Sequence, residues 1–332
     1  MLMKRSPIFV FGNRRSGTTL LRVILNSHPE IAIPAETNWP VECLWLTRLL
    51  GFASRIGSRK LVRRTSGAIV KSVRQLETRW RAPPGKLVEV AKTLLRDQTG
   101  WSVFVDETMR AYASACGRDI QRWGFKSTWF FDHFREMDQA LPGAMVIHIV
   151  RDPRAVAASY RGVRHLPDDV ATVASEWVTS VEQIERLGEH VGPSRYCRVR
   201  FSDLVSSPTE TIESICRSLD MQCSPQMADY HRCDGDHFPF PVDEVPWKGR
   251  VLSAPDPSRI DHWREVLTER ESRKVLELSS KTMTRLGVLS NQRGRSAVPA
   301  ASTRLFGARL SRRVRAHVRP LVHSLRAALG RD

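Results

Sequence analysis

Apolar residues in this chain fall either into short unbroken runs or into longer stretches of helical period, and the two kinds alternate. Ile8–Phe11 is continuously apolar and predicts a buried parallel strand. Leu20, Leu21, Val23, Ile24 and Leu25 give Thr18–Asn26 a broad apolar helical face, ended by His28-Pro29 because proline disfavours helix at the residue before it. Ile31–Ile33 is a short apolar stretch. Residues 42–98 read as mainly helical, with a break at Ala82-Pro83-Pro84-Gly85. Val103–Val105 and Trp123–Phe125 read as short strands, and Trp129–Leu141 as a helix stopped by Pro142-Gly143. Met145–Val150 is a second buried strand, and Arg154–Arg161 opens a helix just after Pro153. Beyond it come a long amphipathic helix over Asp169–Leu187, a strand over Tyr196–Phe201 and a helix from Ser207 to about Leu219. A long loop over 232–259 and a helix over Ile260–Leu286 follow. Strands that alternate with helices predict an α/β fold with a mostly parallel sheet.

Composition narrows this picture. The 332 residues suffice for one large domain. We expect a domain over 1–289, with 41–121 as a helical insertion forming a lid on the acceptor side, and a tail over 290–332. No apolar run approaches the ~20 residues that span a bilayer. The first strand is too short for a signal-peptide core and ends in a glycine loop, so a cytoplasmic protein is expected. The six cysteines are scattered, without C-x-x-C or zinc-ligand spacing, and read as reduced, mostly buried thiols; no metal is expected.

The formal net charge of +17 is concentrated. Residues 48–81 carry ten Lys or Arg against one acid, Glu77, and residues 293–332 carry ten Arg against Asp332, a net +9 in each segment. The rest of the chain is close to neutral, unlike a uniformly basic nucleic-acid domain, and no nucleic-acid partner is expected.

The candidate chemistry starts at the first strand. Gly12-Asn13-Arg14-Arg15-Ser16-Gly17-Thr18-Thr19 lies between that strand and the first helix. It almost fits the phosphate loop G-x-x-x-x-G-K-[ST], in which inward-turned N–H groups and a helix N-terminus hold an anion. Thr18 stands where nucleotide triphosphatases have the lysine that reaches the β- and γ-phosphates. That argues against ATP or GTP hydrolysis and leaves Arg14 and Arg15 to supply charge. At the end of the second strand, Arg151-Asp152-Pro153 offers a guanidinium fork suited to phosphate, with Ser159 two helical turns on.

Pro7–Trp39, with Arg14-Arg15-Ser16-Gly17-Thr18-Thr19-Leu20-Leu21 and Ser27-His28-Pro29-Glu30, resembles the 5′-phosphosulfate loop of sulfotransferases that use 3′-phosphoadenosine 5′-phosphosulfate (PAPS). The likeness is greatest to the bacterial, tyrosylprotein and Golgi carbohydrate sulfotransferases. Ile147–Ser159 similarly resembles their 3′-phosphate motif, with Arg151 and Ser159 at its contact positions. The resemblance covers roughly 7–40, 122–163, 195–220 and 258–288. It implies the sulfotransferase fold, a P-loop NTPase-like parallel sheet flanked by helices, and PAPS as co-substrate without a metal. A sulfuryl group carries less charge than a γ-phosphoryl group, so positioning and a few cationic donors can stabilise its transfer.

By the same resemblance Arg15 grips the phosphosulfate together with Arg14, Ser16, Gly17, Thr18 and Thr19. Glu36 corresponds to the general base of the tyrosylprotein branch. Lys126, in Gly124-Phe125-Lys126-Ser127-Thr128, attends the sulfuryl or bridging oxygen, with Ser127 as a further donor. Lys248, Arg250 and Ser253 fall in a lid segment ahead of Trp263. Phe201 stands where relatives commonly have tyrosine. His165 is the alternative base; Glu30 is a poorer one, and His28 and His148 read as packing residues.

The acceptor stays open among carbohydrate, glycolipid, sterol, polyketide and tyrosine hydroxyls, with a carbohydrate or lipid-linked hydroxyl favoured. A P-loop small-molecule kinase and a non-catalytic nucleotide-anion binding protein are the alternatives. The tail repeats Leu305, Phe306, Leu310, Val314, Val318, Leu321, Val322, Leu325 and Leu329 at helical spacing among arginines. Peripheral contact with the inner face of a membrane, through 48–81 and 304–331, is therefore a further expectation.

Overall fold

Five parallel strands form one sheet: β1 (Ile8–Phe11), β2 (Ile31–Ala32), β3 (Arg122–Ser127), β4 (Met145–Val150) and β5 (Tyr196–Arg200), in the order β2-β3-β1-β4-β5. The structure is a computed structural model and describes residues 6–161, 163, 166–232 and 249–288. β1 lies between β3 and β4, with Ile8 opposite both Gly124 and Met145. The chain leaves β1 toward β2 on one side and leaves β4 toward β5 on the other. The loops after β1 and β4 therefore part at a topological switch point, where open α/β sheets hold ligands.

Alternation along β1 sorts its residues between two cores. Ile8 and Val10 join Ile147, Ile149 and Val199 against α1 (Thr18–Asn26), α9 (Phe201–Ser206) and α10 (Pro208–Ser218). Phe9 and Phe11 face the opposite way and stack with each other, with Phe134 edge-on to both. That second core also takes in Trp39, Trp80, Phe104 and Tyr112 from α2 (Trp39–Arg55), α3 (Arg59–Trp80) and α5 (Trp101–Ala115), with α4 (Lys86–Arg96) packed between α3 and α5. The 41–121 helices thus share a core with the sheet. Glu77, the one acid of the basic segment, is buried and accepts hydrogen bonds from Gly85, Leu87 and Val88 N–H, capping α4.

A third cluster joins α7 (Pro153–Tyr160) and α8 (Val170–Val191) to α11 (Trp263–Val266) and α12 (Glu269–Arg285), around Trp177, Trp263 and Met283.

The structure differs from the sequence reading in several places. Val103–Val105 is helical, not a strand. Trp101, Phe104, Val105, Thr108, Met109 and Tyr112 are buried at helical spacing while Val103 is 47% exposed, so the longer period outweighs the β-branched triplet. The expected helix over 129–141 is a 3-10 turn at Phe130–His133 followed by α6 (Phe134–Ala140). Phe201 opens α9 instead of ending β5. The helix expected over 260–286 is split at Thr268, whose capping box with Glu271 starts α12. Cys43 and Cys216 are buried, but Cys116 and Cys223 are exposed. Residues 290–332, with the expected basic tail, lie outside the described residues.

Between β4 and α8 sits a polar cluster built on the buried His148. His148 Nδ1 is 3.1 Å from Glu185 and 2.7 Å from the Tyr196 hydroxyl, which itself donates to Glu185; Arg198 pairs with the same carboxylate at 2.6 Å. Burial lowers the His148 pKa. Burial alone would raise Glu185, but the hydrogen bonds from His148 and Tyr196, with the charge of Arg198, bring it down to about 2. A carboxylate depressed in the folded state stabilises the fold above its unfolded value and loses that stabilisation as pH falls. The expected outcome is that Glu185→Gln is less stable than the parent at neutral pH. The two urea midpoints should then converge as pH falls from 4.5 toward 2.

Candidate functional site

A cleft of about 870 Å³ opens at the C-terminal ends of β1, β3 and β4. Its floor is the turn between β1 and α1. The first turn of α1 has no side-chain cap and no acid, so its N–H groups meet the cleft with the positive end of the helix dipole behind them. Gly17 adopts φ +98°, and a Cβ there would come within 2.6 Å of the Phe201 ring; at Gly12 it would come within 2.6 Å of the Ile149 carbonyl. Both glycines are therefore required by space, and Gly17 by backbone conformation as well. Arg15 also has a positive φ of 63°, in the left-handed region that a residue with a Cβ enters at a cost. The Ser16 hydroxyl is buried without a protein partner. A loop with an unpartnered donor, a bare helix end and glycine-only clearance fits a bound anion.

The two anion motifs meet here. Arg15 Nε donates to Ser159 Oγ at 3.0 Å, joining the loop after β1 to the helix after β4. Arg151 lies at the centre, with its fork on main chain: one terminal nitrogen donates to the Arg15 carbonyl at 3.0 Å, the other to the Arg259 carbonyl at 2.8 Å. Its guanidinium sits 4.2 Å from the Phe201 ring centroid, and its Nε is buried without a partner. Trp177 Nε1 fixes the Arg151 carbonyl at 3.0 Å.

Burial, reinforced by Arg259 and Arg15, lowers the Arg151 pKa to about 10. Burial also lowers Arg15, with Arg259 and Arg250 acting in the same direction. Four guanidinium groups thus share one partly desolvated space, a field that favours an anion of more than one charge. Arg14 lines the cleft near Glu176 of α8, whose carboxyl burial pushes up against the pull of the Arg14 charge.

On the opposite wall Glu36 and Lys126 form a salt bridge, with Lys126 4% and Glu36 19% exposed. The other carboxylate oxygen accepts from Thr128 N–H at 3.0 Å and Thr128 Oγ1 at 3.2 Å. Behind it, Arg79 Nε donates to the Glu36 carbonyl at 2.7 Å and Trp80 Nε1 to the Ala35 carbonyl at 3.0 Å. The last turn of α3 thereby fixes the chain that carries the carboxylate.

The cleft therefore brings together Arg14, Arg15, Gly17, Thr18, Thr19, Glu36, Lys126, Arg151, Ser159, Arg250 and Ser253. Ser127 is fully buried and accepts from Trp129 N–H. Glu30 lies elsewhere, pairing through its backbone and carboxylate with Gln121. Lys248 and His165 lie outside the described residues. Sequence reasoning missed Thr128, Arg79 and Trp80, whose roles depend on contacts across 43 to 92 residues. It also missed Arg259, although the segment that holds it was noted. Among the described residues, no group of three or more His, Cys, Asp and Glu is placed to hold a metal.

The model of the Sulfotransferase family matches residues 7–225. A Caenorhabditis briggsae protein provisionally named a protein-tyrosine sulfotransferase is 22% identical over 272 residues, covering 81% of this chain and 84% of that protein. The sulfotransferase domain of the Synechococcus PCC 7002 olefin synthase superposes with a TM-score of 0.58 at 23% identity, over 84% of this chain and 95% of that one. The sulfotransferase domain from the curacin biosynthetic pathway superposes at 0.52 and 17% identity, over 84% and 97%. These likenesses agree with the expected sheet.

Gly17→Ala tests the loop. The added methyl meets Phe201 and strains the positive φ by about 1–3 kcal/mol. Affinity for 3′,5′-bisphosphoadenosine, measured by titration calorimetry, should fall about tenfold to a hundredfold, and the urea midpoint should fall with it, because the strain is already present in the empty loop.

Proposed function

Because this chain belongs to the sulfotransferase family, we propose that it moves the sulfuryl group of PAPS to an acceptor hydroxyl, with Glu36 as general base. The observation that carries this reading is the Glu36–Lys126 pair facing the arginine-lined anion cradle across one cleft. A loop that only bound nucleotides would have no need of a carboxylate and an ammonium held together on the acceptor side.

In this reading the turn at 12–19 and Arg15 hold the 5′ end of the donor, while Arg151, Ser159, Arg250 and Arg259 surround the 3′-phosphate. Arg151 presents Nε to it while its fork keeps the loop and the lid in register. Thr128 and Lys126 aim the carboxylate of Glu36. As the acceptor oxygen attacks sulfur, Glu36 takes its proton. Lys126 swings from the carboxylate to the bridging oxygen as the sulfur–oxygen bond breaks, stabilising the charge that develops there. No lysine at position 18 and no metal is called on, in keeping with the small charge of a sulfuryl group.

We further propose a carbohydrate or lipid-linked hydroxyl as acceptor. The support is the apolar part of the cleft lining, with Leu166, Val163, Val205 and Val266, and the cationic helices that follow Glu36.

The test is transfer from labelled PAPS into the lipid, glycan and peptide fractions of a cell extract, without added divalent metal, with sulfated products identified by mass spectrometry. Label is expected in the lipid or glycan fraction. Glu36→Gln should lower the rate about 10²–10⁴-fold with 3′,5′-bisphosphoadenosine affinity unchanged. Normal turnover by Glu36→Gln would remove the base, label in peptide tyrosine alone would replace the acceptor, and no transfer at all would overturn the reading.

A further inference from the structure

The hairpin of α2 and α3 carries a surface that the transfer chemistry does not use. At about 100° per residue, Trp45, Leu49, Phe52 and Ile56 fall within about 60° of one another on one side of α2 and its C-cap. Trp45 is 38%, Phe52 36% and Ile56 49% exposed, which makes this stripe the site of three of the six exposed large apolar side chains among the described residues. Single exposed apolar groups need no explanation, but a contiguous stripe with an aromatic ring at each end of its helical part does.

The stripe is edged by cations. The Arg48 guanidinium lies 5.6 Å from the Trp45 ring centroid, and Arg55, Arg59, Lys60 and Arg63 are exposed around the turn at Ile56–Ser58. The one acid of residues 48–81, Glu77, is turned inward to cap α4 and does not offset this charge at the surface. A polyanion would use the cations and leave the apolar stripe wet. An anionic bilayer uses both, since bulky apolar side chains enter the headgroup region while arginine and lysine meet lipid phosphates. No helix among the described residues is long and apolar enough to cross a membrane, so such a contact lies on the surface.

The stripe is also in the right place. α2 starts three residues after Glu36, and the Trp45 ring meets His133 edge-on at 6.5 Å, just beyond the end of β3, which carries Lys126. From its start at Trp39, α2 runs about 25 Å to the turn. We propose that the α2–α3 hairpin seats the protein on an anionic lipid bilayer. Trp45, Phe52 and Ile56 enter the headgroup layer, and Arg48, Arg55, Arg59 and Lys60 meet the phosphates. The docking stands apart from the reading of the chemistry; where the acceptor is lipid-linked, it brings the acceptor hydroxyl to the Glu36 side of the cleft.

Sedimentation of the full chain with vesicles tests this, using phosphatidylcholine alone or an equal mixture of phosphatidylcholine and phosphatidylglycerol. The protein should partition onto the mixed vesicles and not onto phosphatidylcholine. Phe52→Glu with Ile56→Glu, and separately Arg59→Glu with Lys60→Glu, should each lower that partition about tenfold or more. Val103→Glu, at an exposed apolar position on α5, should leave it unchanged. All variants should keep the parent affinity for 3′,5′-bisphosphoadenosine, which shows that they fold and separates this test from that of the chemistry. Undiminished partition in both double variants would overturn the proposal, as would an equal loss in Val103→Glu or absence of binding by the parent.

Discussion

The site depends on one buried guanidinium. Arg151 lies at the end of β4, where the chain turns into α7, and its fork joins two segments far apart in sequence: the phosphate loop through the Arg15 carbonyl and the lid through the Arg259 carbonyl. The ring of Phe201 covers one side of it, and Trp177 Nε1 donates to the Arg151 carbonyl. Burying a cation is costly, and here the cost is met by main-chain acceptors and an aromatic face instead of a carboxylate. A carboxylate partner would cancel the field of the cleft. Carbonyl acceptors leave the charge in place, so the same residue that organises the loop, the lid and α9 keeps the space attractive to an anion.

The opposite wall is organised differently. Glu36 is on a short segment between β2 and α2, with no regular structure of its own, yet every part of it is held. Arg79 and Trp80 grip its main chain from the end of α3, and Lys126 and Thr128 hold its carboxylate from the end of β3. The helices at 41–121 are thus a support for the carboxylate, built on the aromatic core of Trp39, Trp80, Phe104 and Tyr112 that also receives Phe9 and Phe11. Rigid placement of a carboxylate against a cationic cleft is what the proposed in-line transfer to a hydroxyl requires.

Much of this was legible in the chain. The unbroken apolar runs of β1 and β4 and the glycine spacing of 12–17 depend only on local pattern, and Thr18–Asn26 is helical over the span expected. The strand expected at Val103–Val105 is absent because the helical period of the apolar residues from Trp101 to Tyr112 outweighs a β-branched and aromatic triplet. The break before α12 has a local signal, the capping-box pair Thr268 and Glu271, three apart. The roles of Thr128, Arg79 and Arg259 had no local signal, because each acts through a contact between distant segments. The expected phosphate contact of Arg151 was read from its neighbours; its two main-chain bonds, which involve Arg15 and Arg259, could come only from the fold.

A cleft built on a carbonyl-anchored arginine, with threonine in place of the phosphate-loop lysine, should prefer a nucleotide with separated phosphates to a triphosphate chain. Titration calorimetry of the full chain in the presence of a metal chelator, with 3′,5′-bisphosphoadenosine against ATP, measures this most directly. Tighter binding of the bisphosphate, unchanged when magnesium is restored, is the predicted result. Equal or tighter binding of ATP, or bisphosphate binding that needs magnesium, would contradict it.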